Sequence, residues 1–499
     1  MKQIQIKNRM VGEGCPTYII AEMSANHAGS LERAKEIIRA AKECGADCVK
    51  IQTYTPDTLT IDCHNPYFQI ESGTWEGENL YGLYGKAYTP WEWHKELKEE
   101  ADRVGIDFLS TPFDNSAVDF LEELGMQFYK IASFEMVDIP LLSYVAATGK
   151  PIIMSTGMAT LPEMQEAVET IFAKGNHNLA LLKCSSAYPA DPADMHLRTI
   201  ADMKEQFDLP IGLSDHSMGS MSAVTAVALG ASIIEKHFCI SRDIENPDAS
   251  FSMTPAEFKQ MVEDIRKTEA ALGEAKYGAS KQEEGSLIFR RSVFVTQDIK
   301  KGEKFTKENI RVIRPGYGLH PREYEFALGK TATGNLRRGM PLTADDISDY
   351  LTFRKADRSD IQLVFDWANE EETRKQSFHT KTITWEEHVS WFEKSLNSDD
   401  RYLFICMHGD TPVGLYRIDR VEEAIGEISY SIDKKYRHRG YALEMLKAGE
   451  NCLKKNRIIV WDLLARVKKD NEASRHLFKV LGFKETEEED CFVYTKPVE

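Results

Sequence analysis

The sequence predicts an α/β chain whose N-terminal half is a (β/α)8 barrel, followed by two smaller domains. Eight short apolar segments recur between amphipathic stretches from residue 18 to residue 238. Apolar runs that alternate with helical patterns are typical of parallel strands joined by crossover helices. Eight such units close into a barrel, and polar residues follow these segments, where the loops of a barrel build its active site.

The eight predicted strands are followed by helices or by functional loops. The helix at 31–45 has apolar residues at helical spacing, follows Ser30 as an N-cap and ends at a glycine. Segment 55–88 is long, aromatic and Gly-rich, so we expect a loop at the substrate pocket. The strands are YIIAEMS (18–24), CVKIQTY (48–54), DFLSTPF (107–113), FYKIAS (128–133), PIIMSTG (151–157), LALLKCSS (179–186), PIGLSDH (210–216) and SIIEKHF (232–238).

Composition excludes several classes of protein. A formal net charge of −17 gives no long-range attraction for nucleic acid or an anionic membrane, so neither is an expected partner. The N-terminus lacks the apolar stretch of a secretory signal, and no run approaches the length of a membrane helix. Nine scattered cysteines fit reduced thiols better than a disulfide framework. We therefore expect a cytoplasmic protein.

The 499 residues are too many for one core, and the pattern changes twice along the chain. The barrel is predicted over 1–275, and a polar linker follows it. Residues 285–350 carry short strands with glycine turns; this module is too small for a core of its own, so we expect it to pack on something else. A third domain is predicted over 352–499.

Two histidines at the ends of adjacent predicted strands, His216 and His237, are candidate metal ligands. Neutral imidazoles together with carboxylate or water ligands suit Mn, Fe, Co or Zn. The alternative is that each histidine is merely hydrogen-bonded in a polar cleft.

Two lysines on predicted strands, Lys50 and Lys130, are candidate anion ligands. With nearby hydroxyls they suit a small dianion that carries phosphate and carboxylate groups. The alternative is a salt bridge from each lysine to Glu22 or Glu135, since buried lysines need partners. The hydroxyls are those of Thr111, Ser133, Ser155 and Ser214.

The third domain carries a separate signal in RHRGYA (437–442), which follows a predicted strand and opens a helix. Successive backbone N–H groups that enter a helix in this way can bind a pyrophosphate. The later segment NEASRHLFKVLGF (471–483) is the expected companion of such a loop.

Residues 1–350 resemble the sialic acid synthase family. Within it, QTYTPDTLTIDC and AYTPWEWHKEL are most similar to the pseudaminic acid synthases. The resemblance is carried, in order, by AEMSANHAGS, VKIQTY, FLSTPFD, YKIASFE, MSTGM, IGLSDHS, EKHF and RPGYG.

The resemblance implies a TIM barrel followed by an antifreeze-like (SAF) domain, in a homodimer with exchanged SAF domains. It implies metal-dependent condensation of phosphoenolpyruvate (PEP) with an N-acetylated amino sugar. The expected sugar is a 2,4-diacetamido-2,4,6-trideoxyhexose of L-altro configuration, which gives pseudaminic acid and phosphate. The expected metal is Mn, Co or Mg.

The resemblance also implies roles for individual residues. His216 and His237 would bind the metal, and Glu22, Glu135, Lys50 and Lys130 would be catalytic. Ser186 stands where some members have asparagine, and Arg314 would reach the sugar in the partner subunit. The PEP ligands would be Lys50, Thr111, Lys130, Ser133, Ser155 and Ser214, and the residues facing sugar or water would be Glu22, Gln52, Glu135, Tyr188 and Asp248.

Residues 352–499 resemble the GNAT acetyltransferases, which implies acetyl-CoA as a cofactor and an amine of an amino sugar in the same pathway as acceptor. Many relatives have a tyrosine general acid where this chain has Phe478, and a phenyl ring cannot donate a proton. Glu427 is a candidate base, and a protein N-terminal amine is the alternative acceptor. The expected cofactor ligands are Arg437, Arg439, Gly440, Ala442 and Asn471.

Other functions stay open at this point. The barrel could condense PEP with another aldehyde, follow an aldolase reaction, or make N-acetylneuraminic or legionaminic acid. It could also be a carbohydrate-binding or assembly protein without catalysis. The third domain could be a non-catalytic scaffold.

Overall fold

The computed structural model describes residues 3–71, 74–422 and 424–498. The chain forms two compact units, Met1–Lys276 and Tyr277–Glu499. The first contains the predicted barrel, and the second contains both smaller domains.

The first unit is built on a closed barrel of eight parallel strands, which confirms the predicted fold. Each strand pairs with its neighbours in sequence, and the last strand pairs with the first. The barrel strands are β3 (Tyr18–Glu22), β4 (Cys48–Thr53), β5 (Asp107–Pro112), β6 (Tyr129–Ile131), β7 (Ile152–Ser155), β8 (Leu179–Cys184), β9 (Ile211–Asp215) and β10 (Ile233–His237).

Helices connect these strands, and several begin at capping residues that the sequence supplies. Ser30 accepts a hydrogen bond from the backbone N–H of Arg33, and Thr254 with Glu257 forms a capping box before the last helix. The helices are α1 (Leu31–Glu43), α2 (Pro56–Leu59), α3 (Leu80–Ala87), α4 (His94–Val104), α5 (Asn115–Glu123), α6 (Ile139–Ala146), α7 (Leu161–Ala173), α8 (Thr199–Phe207), α9 (Met221–Ala228) and α10 (Pro255–Leu272).

Alternation along each strand separates two apolar layers and fixes where the polar residues lie. On β3, Ile19 and Ala21 pack in the core between barrel and helices, whereas Tyr18 and Ile20 pack in the barrel interior. Glu22, two residues after Ile20, therefore also faces the barrel interior. The same parity gives an interior set at the strand ends: Glu22, Lys50, Gln52, Thr111, Lys130, Ser155, Cys184, Ser214, His216, Glu235 and His237.

The sequence analysis missed an antiparallel hairpin, β1 (Gln3–Ile6) and β2 (Arg9–Gly12), before the barrel. Ile4, Ile6 and Val11 belong to the same buried cluster as Tyr18 and Cys48, which begin β3 and β4. The hairpin therefore packs on the interior at the start of the strands, opposite the polar end. The alternating letters QIQI were its only signal, and they are too few to separate from background.

The second unit contains a two-stranded and a seven-stranded sheet. The larger sheet has the order β13-β14-β15-β16-β17-β19-β18, and only the β16–β17 pair is parallel. The strands are β11 (Ser292–Val295), β12 (Ile310–Ile313), β13 (Thr352–Lys355), β14 (Arg401–His408), β15 (Thr411–Glu422), β16 (Ile425–Ile432), β17 (Asp462–Lys468), β18 (Lys484–Glu487) and β19 (Cys491–Pro497). The helices are α11 (Tyr324–Ala327), α12 (Ile361–Asn369), α13 (Glu371–Gln376), α14 (Trp385–Leu396), α15 (Tyr441–Lys455) and α16 (Glu472–Val480).

The small module and the C-terminal domain share one apolar core within this unit. Phe305 and Leu342 of the module belong to the same buried cluster as Tyr416 and Met445 of the larger sheet and its helix. At the junction, the ring of His408 stacks on Phe326 with 3.8 Å between centroids. The module thus packs on its neighbour in sequence. Among the described residues, no helix has the length and apolarity to cross a membrane.

Candidate functional site

Two buried lysines and a buried glutamate form the centre of the barrel mouth. Lys50 Nζ lies 2.6 Å from Glu22 Oε2 and 2.7 Å from Glu235 Oε1. Lys130 Nζ lies 3.9 Å from Glu235 Oε2, and Ser214 donates to Glu235 Oε1 at 3.1 Å. The alternative considered for both lysines, a salt bridge to Glu22 or Glu135, is found for Lys50 with Glu22, whereas the carboxylate nearest to Lys130 is that of Glu235, which the sequence analysis did not consider.

The charges of this cluster depend on one another. Burial alone would raise the pKa of Glu235, but the ammonium groups of Lys130 and Lys50 hold that pKa below its usual range. Burial lowers the pKa of Lys50 to about 8, against the attraction of Glu235. The lowered pKa of Glu235 favours the ionised pair, whereas the lowered pKa of Lys50 opposes it. Because Glu235 faces two ammonium groups, its carboxylate stays ionised at neutral pH.

Hydroxyl groups surround the second lysine. Lys130 Nζ donates to Ser155 Oγ at 2.6 Å and to the Ile131 carbonyl at 3.0 Å. Ser133 Oγ accepts from the Gly157 backbone N–H at 3.0 Å. A Cβ on Gly157 would overlap the hydroxyls of both Ser133 and Ser186, so glycine allows the two serines to approach the backbone this closely.

Thr111 completes this group, because its buried hydroxyl has no hydrogen-bond partner among the described residues. An unpaired buried hydroxyl is costly unless a ligand or water satisfies it. The structure therefore brings together the predicted anion ligands Lys50, Lys130, Ser133, Ser155 and Ser214 with Thr111 and Ser186.

The predicted metal ligands also lie together. The rings of His216 and His237 are 5.4 Å apart between centroids, and Tyr188 packs 4.2 Å from His216. His216 Nδ1 donates to the Ser185 carbonyl at 2.9 Å, which leaves its Nε2 free to ligate. His237 Nδ1 is buried without a hydrogen-bond partner among the described residues, and Asp248 Oδ2 is 3.9 Å away.

This donor set fits a divalent ion held by two imidazoles. Burial lowers the pKa of His237 well below its usual value, which keeps the ring in its neutral, ligating form. At His216 burial also lowers the pKa, but Cys184, with Sγ 3.8 Å from Nδ1, more than offsets this effect. The described residues contain no cluster of three or more His, Cys, Asp or Glu side chains with ligating geometry, so water or substrate would complete the coordination.

The remaining carboxylates and amides differ in whether they have hydrogen-bond partners. Gln52 Nε2 donates to Ser24 Oγ at 3.1 Å and to Glu22 Oε1 at 3.4 Å. Asp248 Oδ2 accepts from the Ala25 N–H at 3.0 Å. By contrast, the buried Oε2 of Glu135 has no partner among the described residues, and burial raises the pKa of this carboxyl to about 7.

The long loop after β4 reaches the same region through an aromatic residue that the sequence analysis did not single out. Trp75 lies 5.4 Å from Tyr188 between ring centroids and donates its Nε1–H to the Pro247 carbonyl at 3.2 Å. The loop had been predicted to serve the pocket, but nothing in its composition distinguished Trp75 from its other aromatic residues.

Arg314 lies in the second unit, directly after β12, and its side chain is exposed. The barrel site of the first unit is thus complete in its lysines, hydroxyls and histidines without this residue.

A second site lies in the C-terminal domain, where β16 and β17 separate. The strands pair only at Ile425–Asp462, Gly426–Leu463 and Glu427–Leu464. The residues that follow on both strands line a cavity of about 1480 Å³. Unpaired strand edges in such a slot can hydrogen-bond an extended chain of amides.

Four of the five predicted cofactor ligands line this cavity, and Arg439 is not among its lining residues. Gly440 has φ +84° and directly precedes α15, so the N–H groups of the first turn face no capping side chain. Ala442 and Asn471 line the cavity, and Asn471 also caps α16 by accepting from Ser474 N at 3.1 Å. Arg437 lines it too, but its Nη2 contacts Glu370 Oε2 at 2.5 Å. The guanidinium of Arg439 lies over the ring of Tyr436 at 5.3 Å.

Comparisons with known proteins match the domains of both units. The NeuB family model matches residues 37–277, a SAF domain model 290–348, and an acetyltransferase (GNAT) domain model 350–484. A pseudaminic acid synthase of Campylobacter jejuni is 46% identical over 329 residues, which is 66% of this chain and 96% of that protein. The chain belongs to the NeuB family of sialic acid synthases.

Two further members of the family are less similar. An N,N'-diacetyllegionaminic acid synthase of Campylobacter jejuni is 38% identical over 325 residues, 64% of this chain and 97% of that protein. The crystal structure of an N-acetylneuraminic acid (sialic acid) synthetase from Leptospira borgpetersenii, in complex with citrate, is 31% identical with a TM-score of 0.52. The match covers 57% of this chain and 95% of that structure.

Proposed function

We propose that the barrel condenses PEP with a 2,4-diacetamido-2,4,6-trideoxyhexose to give a nine-carbon 2-keto acid and phosphate. The observation that carries this proposal is the buried cluster of Lys50, Lys130 and Glu235, ringed by hydroxyls at the polar end of a barrel. Lys50 contacts the carboxylates of Glu22 and Glu235, whereas Lys130 has only the distant Glu235 at 3.9 Å, so its ammonium group is available to a phosphorylated carboxylic acid.

The PEP ligands follow from this geometry. Lys50 and Lys130 face the phosphate and carboxylate, and the hydroxyls of Ser133 and Ser186, which lie beside Gly157, fit the remaining anionic oxygens. Thr111, which has no protein partner among the described residues, gains a hydrogen bond from the same ligand.

His216 and His237 would hold the divalent metal, which polarises the aldehyde of the open-chain sugar when it is bound. Tyr188 packs against His216 and, with Trp75, forms an aromatic wall above the two histidines. We expect these two rings to exclude water from their side of the aldehyde, so that water reaches it only from the polar side of the barrel mouth. Asp248 Oδ2 lies 3.9 Å from His237 Nδ1, beyond hydrogen-bond distance.

The chemistry then needs one new carbon–carbon bond and one water. The C3 carbon of PEP attacks C1 of the sugar, which moves the electron pair of the carbonyl π bond to the aldehyde oxygen and leaves a positive charge at C2 of PEP. The aldehyde oxygen then takes up a proton and becomes a hydroxyl. A water adds at C2, gives up one proton, and the resulting tetrahedral intermediate expels phosphate to form the ketone. Lys50 and Lys130 stabilise the phosphate as it leaves.

Glu135 is the better candidate for the base that takes the proton of this water. Its buried Oε2 has no partner among the described residues, whereas Glu22 is engaged by Lys50. A carboxyl whose pKa is raised to about 7 is a stronger base than an ordinary glutamate and is ionised above neutral pH.

The L-altro sugar that yields pseudaminic acid is the proposed substrate. Its support is the 46% identity to a pseudaminic acid synthase, against 38% to a diacetyllegionaminic acid synthase. The test compares kcat/KM for the L-altro sugar, for the sugar precursor of legionaminic acid and for N-acetylmannosamine. We expect the L-altro sugar to be preferred; a higher kcat/KM with either of the others would assign the chain to another sialic-acid-like product.

We also propose that the protein acts as a homodimer in which Arg314 contributes to the sugar site of the partner subunit. Family resemblance at RPGYG supports this, together with the exposure of Arg314 on its loop. An exposed guanidinium is free to meet an anionic or polyhydroxylic ligand.

For the C-terminal domain we propose acetyl transfer from acetyl-CoA to an amine of a nucleotide-linked amino sugar. The separated ends of β16 and β17 fit the amide arm of CoA, and the N–H groups after Gly440 fit its pyrophosphate. Glu427, a candidate base, accepts a hydrogen bond on its Oε2 from Arg466 Nη1 at 2.9 Å and is therefore a weaker base than an unpaired carboxylate.

Binding of acetyl-CoA tests this second activity. Gly440→Trp should abolish binding measured by calorimetry, because the indole fills the pyrophosphate space, while phosphate release by the barrel continues. Gly440→Ala is the matched control, since it carries the same backbone strain at positive φ without the bulk. Wild-type protein that does not bind millimolar acetyl-CoA would leave the domain as a scaffold.

A further inference from the structure

The C-terminal cavity lacks a proton donor at the position where the GNAT resemblance places one. Phe478 is buried, stacks on Tyr494 with 5.2 Å between ring centroids and also contacts Phe483. A phenyl ring has no hydroxyl, and no rotation of this side chain supplies one. A thiolate that leaves an acetyl group in this cavity needs its proton from another residue.

A hydroxyl pair lies one helical turn away. Tyr430 on β16 hydrogen-bonds Ser474 on α16 with 2.9 Å between the oxygens. Ser474 and Phe478 are four residues apart on this helix and so share a face. The ring centroids of Tyr430 and Phe478 are 6.1 Å apart, and all three residues line the cavity.

Tyr430 also lies in the part of the cavity where β16 and β17 separate, which is where we expect acetyl transfer to take place. Pairing between β16 and β17 ends at Glu427, so Tyr430 lies three residues into the separated stretch. Burial raises the pKa of the Tyr430 phenol, so the proton stays on the oxygen at neutral pH. The charged residues of β16 and β17 that line the cavity are Glu427, Arg466 and Lys468, of which the first two pair with each other. Arg417 on β15 and His476 on α16 line it as well.

We propose that Tyr430 is the general acid of the acetyltransferase reaction and that Ser474 relays its proton. This inference rests on the proposed acetyl transfer in this domain. The acceptor amine attacks the thioester carbonyl, and the tetrahedral intermediate breaks its carbon–sulphur bond. The electron pair goes to sulphur, and the Tyr430 hydroxyl gives its proton to that sulphur. The phenolate regains a proton through Ser474 from the proton that the amine releases.

The test uses the full chain, acetyl-CoA and a nucleoside-diphosphate-linked 4-amino-4,6-dideoxyhexose, with release of CoA thiol as the signal. Tyr430→Phe should lower kcat about 100-fold, the range for loss of a general acid, and leave the acetyl-CoA dissociation constant unchanged. It should also remove the alkaline limb of the kcat profile, which deprotonation of the phenol causes. Tyr402→Phe, on β14 and outside the cavity lining, is the matched control and should keep the wild-type kcat.

A double variant separates catalysis from structure. Adding Phe478→Tyr to Tyr430→Phe returns a hydroxyl to the cavity and should restore much of kcat. A Tyr430→Phe enzyme with wild-type kcat and an unchanged alkaline limb would overturn the assignment while leaving the acetyltransferase intact. Wild-type protein that binds acetyl-CoA but acetylates no amine would contradict the proposed transfer itself, and the role of Tyr430 with it.

Discussion

Lys50 and Glu235 form a buried ion pair at the centre of the barrel mouth, with 2.7 Å between Nζ and Oε1. The next residue along the same strand, Lys236, pairs instead with Asp215 at 2.7 Å. Because successive side chains of a strand point to opposite faces, Glu235 belongs to the site and Lys236 to the layer between barrel and helices.

The two pairs should respond differently to mutation. Lys236→Met leaves Asp215 buried and uncompensated, so the free energy of unfolding should fall by about 3–5 kcal/mol. The folded enzyme should keep its KM for PEP. Glu235→Gln releases Lys50, Lys130 and Ser214 from their common partner, so KM for PEP should rise. Urea unfolding together with steady-state kinetics measures both; equal effects of the two variants on KM would contradict this division.

The barrel was predictable because its signals are repeated. Each of the eight apolar segments is short, and a residue with chemical function follows it, so the order of elements needed no contact information. The strand ends also placed His216 beside His237. Their closeness in the structure follows from adjacency of β9 and β10 alone.

Partners across the barrel were not predictable. Lys130 lies on β6 and Glu235 on β10, and nothing in the local sequence says which of several carboxylates faces a given lysine. The partner of Arg437 was missed for the same reason, because Glu370 is distant in sequence. The pair of Tyr430 and Ser474 joins a strand to a helix 44 residues away, a contact that only the fold creates.

The raised pKa of Glu135 predicts the direction in which kcat/KM of the barrel reaction changes with pH. Burial raises the pKa of its carboxyl to about 7, so the group is protonated and unable to act as a base below that value. The kcat/KM of the barrel reaction should therefore fall as pH decreases through about 7. Glu135→Gln should lower activity at pH 8 by about 100-fold, a typical contribution of a general base. It should also remove the acidic limb; a limb that persists in this variant belongs to another group.

Metal removal tests the two imidazoles. Dialysis against EDTA should abolish phosphate release, and Mn, Co or Mg should restore it. His237→Ala should lose bound metal, measured by elemental analysis, while keeping its thermal stability, because a polar residue of the mouth supports little of the core. Full activity after rigorous removal of metal would exclude the proposed role of both histidines.

Mixed dimers test the contribution of Arg314. Chains with His237→Ala and chains with Arg314→Ala should each be inactive alone, but their mixed dimer contains one site with both residues intact. We expect partial recovery of phosphate release after the two are unfolded, mixed and refolded. Verified mixed dimers without recovery would show that Arg314 acts within its own chain or outside the site.

The most direct measurement is mass spectrometry of the products from PEP and the 2,4-diacetamido-2,4,6-trideoxy-L-altrose, with ¹⁸O in the oxygen that bridges C2 and phosphorus. Water addition at C2 followed by loss of phosphate predicts one nine-carbon 2-keto acid per phosphate, with the label in the phosphate. Phosphate released without a keto acid, or a keto acid that retains the bridging label, would contradict the proposed condensation.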